Sequence, residues 1–136
     1  DLTQAPAWTF GEGLSYTTVE YSALALVSSS LGADDTIVAE VTVANTGTRP
    51  VRETVQAYVR DVVTSTSWTD KELKAYRQVD LAPGESRRVV IELPVADCTI
   101  VDAAGVRRVE PGAFELLVGP SSRDEVLLTA AFEVGA

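Results

Sequence analysis

A strict two-residue alternation between 36 and 44 limits this chain more than any other feature. Ile37, Ala39, Val41 and Val43 share one side of that run, and Val38, Glu40, Thr42 and Ala44 share the other. An extended strand with one buried and one mostly wet face turns such a period into a partition. The same period recurs down the chain. Over 51–61, Val51, Glu53, Val55, Ala57 and Val59 oppose Arg52, Thr54, Gln56, Tyr58 and Arg60, and the first set is expected to face the core. Over 18–27, Val19, Tyr21, Leu24 and Leu26 reach one face if the register changes once near Ser22. Further strands are expected over 73–81, over 87–93 with Val89, Ile91 and Leu93 aligned, and over 113–119 with Phe114, Leu116 and Val118 aligned. The last runs over 126–134 and aligns Val126, Leu128, Ala130, Phe132 and Val134, while a short pair, 99–102 and 106–110, flanks a turn at Ala103-Ala104-Gly105.

Turn chemistry punctuates these runs. Asn45-Thr46-Gly47 pairs two residues that tolerate positive φ, and Ala82-Pro83-Gly84-Glu85 has proline and glycine where a type II turn wants them. Pro50 stands where a strand begins, Pro94 where one stops, and Pro111-Gly112 marks another turn. Residues 28–35 read as a polar loop and 62–70 as a long exposed connection carrying Trp68. No segment keeps a helical period for three turns. Seven or eight short strands without intervening helices predict an all-β, antiparallel Greek-key β-sandwich rather than parallel βαβ units.

Composition removes most chemistries. At 136 residues the chain fits one domain able to bury roughly two thirds of its unfolded surface. Hydrophobic residues at 46% and charged residues at 23% are ordinary for a globular domain, and no apolar run approaches the roughly 20 residues of a spanning helix. A net charge of −9 speaks against nucleic-acid backbones. The start, Asp1-Leu2-Thr3-Gln4, does not read as a signal peptide, so the compartment stays open. The chain has no histidine, which removes Ser-His-Asp and Cys-His triads and His-ligated zinc. Cys98 stands alone, so no internal disulfide can form, and it is expected to be a small buried apolar residue rather than a nucleophile.

The remaining candidates are weak. Gly11-Glu12-Gly13 lacks the strand, third glycine and helix of a nucleotide site, and Ser15 lacks the glycines of a nucleophile elbow. The loop carboxylates Asp34, Asp35, Asp61, Asp70, Glu72, Asp124 and Glu125 offer no reason for any pair to be desolvated as glycoside hydrolysis requires, and Asp34-Asp35 lacks the ligand spacing of a calcium loop. No catalytic, cofactor-binding or metal-ligating set is therefore expected.

Residues 1–17 read as an inter-domain linker and docking strap, and 18–136 as the sandwich domain. Glycines bracket Phe10-Gly11-Glu12-Gly13-Leu14-Ser15-Tyr16-Thr17, and with Trp8 the strap carries large apolar area without a period of its own. Trp8, Phe10, Leu14 and Tyr16 are the candidate docking residues. Trp68 could pack its loop down or stack on a sugar ring, with Tyr58 or Tyr76 as further platforms.

These motifs, in this order, resemble the fibronectin type III-like domain of family 3 glycoside hydrolases, the β-glucosidase and β-xylosidase group. The strap is similar to that family's Phe-Gly-x-Gly-Leu-Ser-Tyr-Thr segment, although Glu12 stands where the family usually has His or Tyr. Val43-Ala44-Asn45-Thr46-Gly47 resembles its Val-x-Asn-Thr-Gly turn, and ETVQAYVRD over 53–61 resembles its Glu-Val-Val-Gln-Leu-Tyr-Val-x-Asp strand. Lys71-Glu72-Leu73-Lys74-Ala75-Tyr76, residues 81–86 and residues 110–124 match three more of its segments. Cys98-Thr99-Ile100-Val101 and Arg107-Arg108-Val109 replace a stretch that in the family is often rich in Tyr and Trp. The resemblance implies a non-catalytic accessory domain that stabilises or positions the catalytic domains of the same polypeptide, a retaining glycosidase acting on terminal β-linked sugars. None of the family's catalytic residues falls on this chain. Two other readings stay open: a carbohydrate-binding module that uses Trp68 on poly- or oligosaccharide, and a structural spacer of a surface protein.

Overall fold

The computed structural model describes residues 7–62 and 71–136. Ten strands follow in order: β1 (Val19–Leu26), β2 (Ser30–Leu31), β3 (Thr36–Asn45), β4 (Val51–Asp61), β5 (Glu72–Leu81), β6 (Ser86–Pro94), β7 (Ile100–Val101), β8 (Arg107–Arg108), β9 (Gly112–Gly119) and β10 (Leu128–Val134). Seven of them run for seven residues or more, and the excess over the expected number comes from two-residue pairings at β2, β7 and β8. Among the described residues the only helical turns are two short 3₁₀ turns, Val95–Asp97 and Asp124–Val126.

β1-β3-β6 form one sheet, β2-β10-β9-β4-β5 a second, and β7-β8 a separate hairpin. All pairings are antiparallel except the short one of β10 with β2. The alternation that predicted β3 is realised residue for residue: Ile37, Ala39, Val41 and Val43 are fully buried. They meet Val55, Ala57, Leu116 and Val118 of the other sheet in one apolar cluster, so the molecule is an antiparallel sandwich. Phe114 and Phe132 lie directly opposite each other on β9 and β10, stacked with centroids 5.4 Å apart. Each fully buried side chain of this size contributes about 1.5–3 kcal/mol. Cys98 is buried in the same cluster, and burial pushes its thiol up to about 11, so it packs as an apolar residue.

The register change expected near Ser22 is a bulge between Ser22 and Ala25, with Ala23 at φ 55°. The type II turn is present: the Glu85 amide donates to the Ala82 carbonyl at 2.9 Å and Gly84 sits at φ 77°.

Four expectations need correction. The loop 28–35 contains β2, whose Leu31 is buried because it covers the end of β10. Val126 belongs to a 3₁₀ turn and leaves the row it was aligned with. Gln56 and Tyr58, assigned to the outer face of β4, are buried because that face is itself covered, and Leu117 on neighbouring β9 is buried opposite the core for the same reason of position. Gly47 has no positive φ; it is glycine because a Cβ there would strike the Thr17 side chain and come within 2.9 Å of the Thr18 nitrogen.

Candidate functional site

The cover over the outer face of β4 is the strap. Gly11 sits at φ 75°, and a Cβ on it would fall on the Gln56 carboxamide and 2.8 Å from the Tyr58 hydroxyl. Only glycine lets the backbone come this close in this conformation. Gln56 Nε2 donates to the Gly11 carbonyl at 2.9 Å and to the Pro120 carbonyl at 2.8 Å, while its Oε1 accepts from the Tyr58 hydroxyl. The buried amide thereby joins strap, β4 and the loop after β9 with its polar atoms satisfied. The Phe10 ring meets Tyr58 edge-on at 6.4 Å, and the Ser122 amide donates to the Phe10 carbonyl at 2.9 Å.

Glu12 closes the clasp. Its Oε2 accepts from the Thr9 amide and hydroxyl, each at 2.8 Å, and from Arg123 Nη2 at 2.7 Å. The Thr9 amide first, then the Arg123 guanidinium, hold its carboxyl down at about 2. The residue that departs from the family motif is thus the one that ties the strap to the turn before β10.

Asn45 anchors the other end of the strap. Its Oδ1 accepts from the Thr17 hydroxyl at 2.9 Å and the Gly47 amide at 3.1 Å, and its Nδ2 donates to the carbonyls of Arg49 at 2.7 Å and Leu81 at 3.2 Å.

Held at both ends, the strap keeps its large side chains turned outward: Trp8 is 62% exposed, Phe10 67%, Leu14 88% and Tyr16 91%. The segment thus leaves large apolar area open to solvent on its outer side. Between strap residues 11–17 and the first half of β4 lies an open groove of about 470 Å³. On its β4 wall, Glu53 accepts a hydrogen bond from the Tyr21 hydroxyl at 2.6 Å.

The other candidates are placed less favourably for chemistry. Trp68 lies outside the described residues. Tyr58 is 1% exposed and cannot stack on a sugar, while Tyr76 on β5 is exposed. Asp124 is engaged by Lys71 at 2.8 Å and Arg60 at 3.3 Å, which hold its carboxyl below the usual range, and Glu72 is paired with Lys74 at 2.8 Å. Among the described residues no group of three or more His, Cys, Asp or Glu side chains is disposed to hold a metal. Sequence reasoning missed Asn45, Gln56 and Arg123 as the polar hubs of the strap; an amide in the middle of an otherwise apolar run was the one signal available for Gln56.

Comparison with known proteins shows the family of the domain. The family model of the fibronectin type III-like domain matches residues 53–122. A β-xylosidase of Formosa agariphila is 37% identical over 131 residues, which are 96% of this chain and 18% of that protein. Thermostable β-glucosidase B of Acetivibrio thermocellus is 38% identical over 123 residues, 90% of this chain and 16% of its own length. A solved β-glucosidase involved in saponin metabolism from intestinal bacteria superposes with a TM-score of 0.94 at 53% identity, covering 99% of this chain and 18% of that one. The chain therefore spans less than a fifth of the length of these relatives.

Proposed function

The chain belongs to the fibronectin type III-like domain family, and we propose that it is a non-catalytic accessory domain of a family 3 glycoside hydrolase that hydrolyses terminal β-linked sugars such as β-glucosides or β-xylosides. Its role in this reading is to stabilise and position the catalytic domains of the same polypeptide, through the strap. The observation that carries it is the alignment of almost the whole chain with a small share of each β-glycosidase relative. The outward Trp8, Phe10, Leu14 and Tyr16 supply the contacts, fixed in place beforehand by Gln56, Asn45 and the Glu12–Arg123 pair. Such prior fixing lowers the ordering cost of docking.

An antibody against this chain, used to blot native extract from the source organism, tests the reading. A band several times larger than 14.5 kDa that co-purifies with β-glucosidase or β-xylosidase activity is expected. A native band at the size of the chain alone would overturn it.

A further inference from the structure

Among the described residues, β4 is paired on one side only along 51–55. β5 runs beside it from Val51 to Val59, but β9 reaches β4 only as far as Gly119, opposite Gln56. Beyond that point the strap stands off from the strand and leaves the groove, lined among others by Leu14, Tyr16, Val19, Val51, Glu53 and Thr54. Backbone groups on an unpaired strand edge are a template for another extended segment. At the rise of a strand, this edge presents about 13 Å.

Glu53 gives the groove its sign. Its carboxylate is half-buried and accepts one hydrogen bond, from Tyr21, with no cationic partner among the described residues. Arg52, its neighbour in sequence, is committed to Asp80 at 2.9 Å. Burial holds the Glu53 carboxyl above its usual range, and the Tyr21 bond offsets this in part. A carboxylate in that condition gains most from a cation that arrives with its own hydrogen bonds.

We propose that this groove seats an extended segment from another part of the same polypeptide, which sets a lysine or arginine on the Glu53 carboxylate. The inference rests on the accessory-domain reading and names the contact through which docking is made specific. The unpaired edge selects extended backbone, and the half-buried carboxylate selects a cation. The exposed Leu14 and Tyr16 make the groove continuous with the docking face of the strap. A second copy of this chain, with its own net charge of −9, is a poorer electrostatic match.

The test is hydrogen exchange on the intact native polypeptide and on the isolated chain, each as wild type, Glu53→Gln and Glu53→Lys. Glu53→Gln keeps the acceptor for Tyr21, so the sandwich keeps its fold. Amides within 51–55 and 13–17 are expected to exchange about tenfold more slowly in the intact polypeptide than in the isolated chain. Glu53→Gln should remove most of that slowing and Glu53→Lys all of it, with the isolated chain unchanged by Glu53→Gln. Equal exchange of 51–55 in both wild-type forms would overturn the proposal, as would slowing that survives both substitutions, since the occupant would then carry no cation. Slowing that grows with the concentration of the isolated chain would assign the groove to a second copy and overturn it too. A native polypeptide no larger than this chain would overturn the accessory-domain reading itself, and is read from the blot before any exchange is measured.

Discussion

The Tyr21 hydroxyl on β1 donates to Glu53 on β4 at 2.6 Å, a side-chain bond between the two sheets. Tyr21→Phe removes the one hydrogen-bond donor that the described residues give the Glu53 carboxylate, at a cost of about 1 kcal/mol, the low end because Glu53 keeps some access to water. The pH dependence has a definite sign. Burial raises the Glu53 pKa in the folded chain, so the folded state holds this proton to higher pH than the unfolded state. Its contribution therefore falls as pH rises from the usual carboxylate value through the raised one. Losing the Tyr21 bond raises that pKa further, so urea midpoints should show a larger deficit for Tyr21→Phe near neutrality than in mild acid. Equal deficits would contradict this.

Asn45 is 1% exposed and bonds both ways, to two carbonyls through Nδ2 and to the Thr17 hydroxyl and Gly47 amide through Oδ1. Asn45→Ala strands these groups and should cost about 3 kcal/mol in thermal or urea unfolding. Asn45→Asp is the sharper probe, because it points a carboxylate oxygen at the Arg49 and Leu81 carbonyls. It should be worse than alanine at neutral pH and recover in acid, where the protonated oxygen donates again.

The legible part of this fold was its periods. β3, β6 and β9 bury the residues their alternation selects, because a half-buried sheet sorts its side chains by parity. Parity failed at Gln56, Tyr58 and Leu117, where a segment more than forty residues away in sequence covers the second face of β4. No local pattern reports such a cover. The turn at Asn45-Thr46-Gly47 was found for a reason the structure replaces: close approach of Thr17 and Thr18, and not positive φ, requires Gly47. The fastening of the strap to the sandwich was not legible, because it depends on Arg123, 111 residues from Glu12.

Ala23 is the one non-glycine residue at positive φ among those described, at 55°. The bulge turns Leu24 and Leu26 back toward the core, so the conformation is required and the side chain pays for it. A left-handed residue costs about 1–2 kcal/mol, and glycine's greater unfolded freedom returns about 0.4–1 of that. Ala23→Gly should therefore stabilise the chain by about 0.5–1 kcal/mol. A lower melting temperature would show that the alanine methyl packs in a way that outweighs the backbone term.

Acid should loosen the clasp progressively. The Glu12 carboxyl is held at about 2, below its value in an unfolded chain, so its contribution is full above the usual carboxylate range and is lost as pH falls toward 2. Exchange of the Ser122 amide, which bonds the Phe10 carbonyl, corrected for its intrinsic pH dependence, should therefore quicken steadily from the usual carboxylate range down to about 2 and level off there. Glu12→Gln should show the fast exchange at neutral pH. Corrected exchange that does not change between neutral pH and pH about 2 would mean that Thr9 and Arg123 do not hold Glu12 in solution.

Leu14 and Tyr16 test the proposed docking apart from the strap's fastening to its own sandwich, because their side chains are almost wholly exposed. In the isolated chain, Leu14→Ala and Tyr16→Ala should change stability by no more than about 0.5 kcal/mol, as at other open surface positions. In the intact polypeptide, where the proposed docking buries them, each should cost about 1–2 kcal/mol. Phe10→Ala is less clean, since its ring also meets Tyr58 and the isolated chain loses about 0.5–1.5 kcal/mol with it. The decisive quantity is therefore the difference between the two forms for each substitution, read as melting temperature. Leu14 and Tyr16 substitutions that leave the intact polypeptide's melting temperature unchanged would show that the outward side chains are not what the strap docks with.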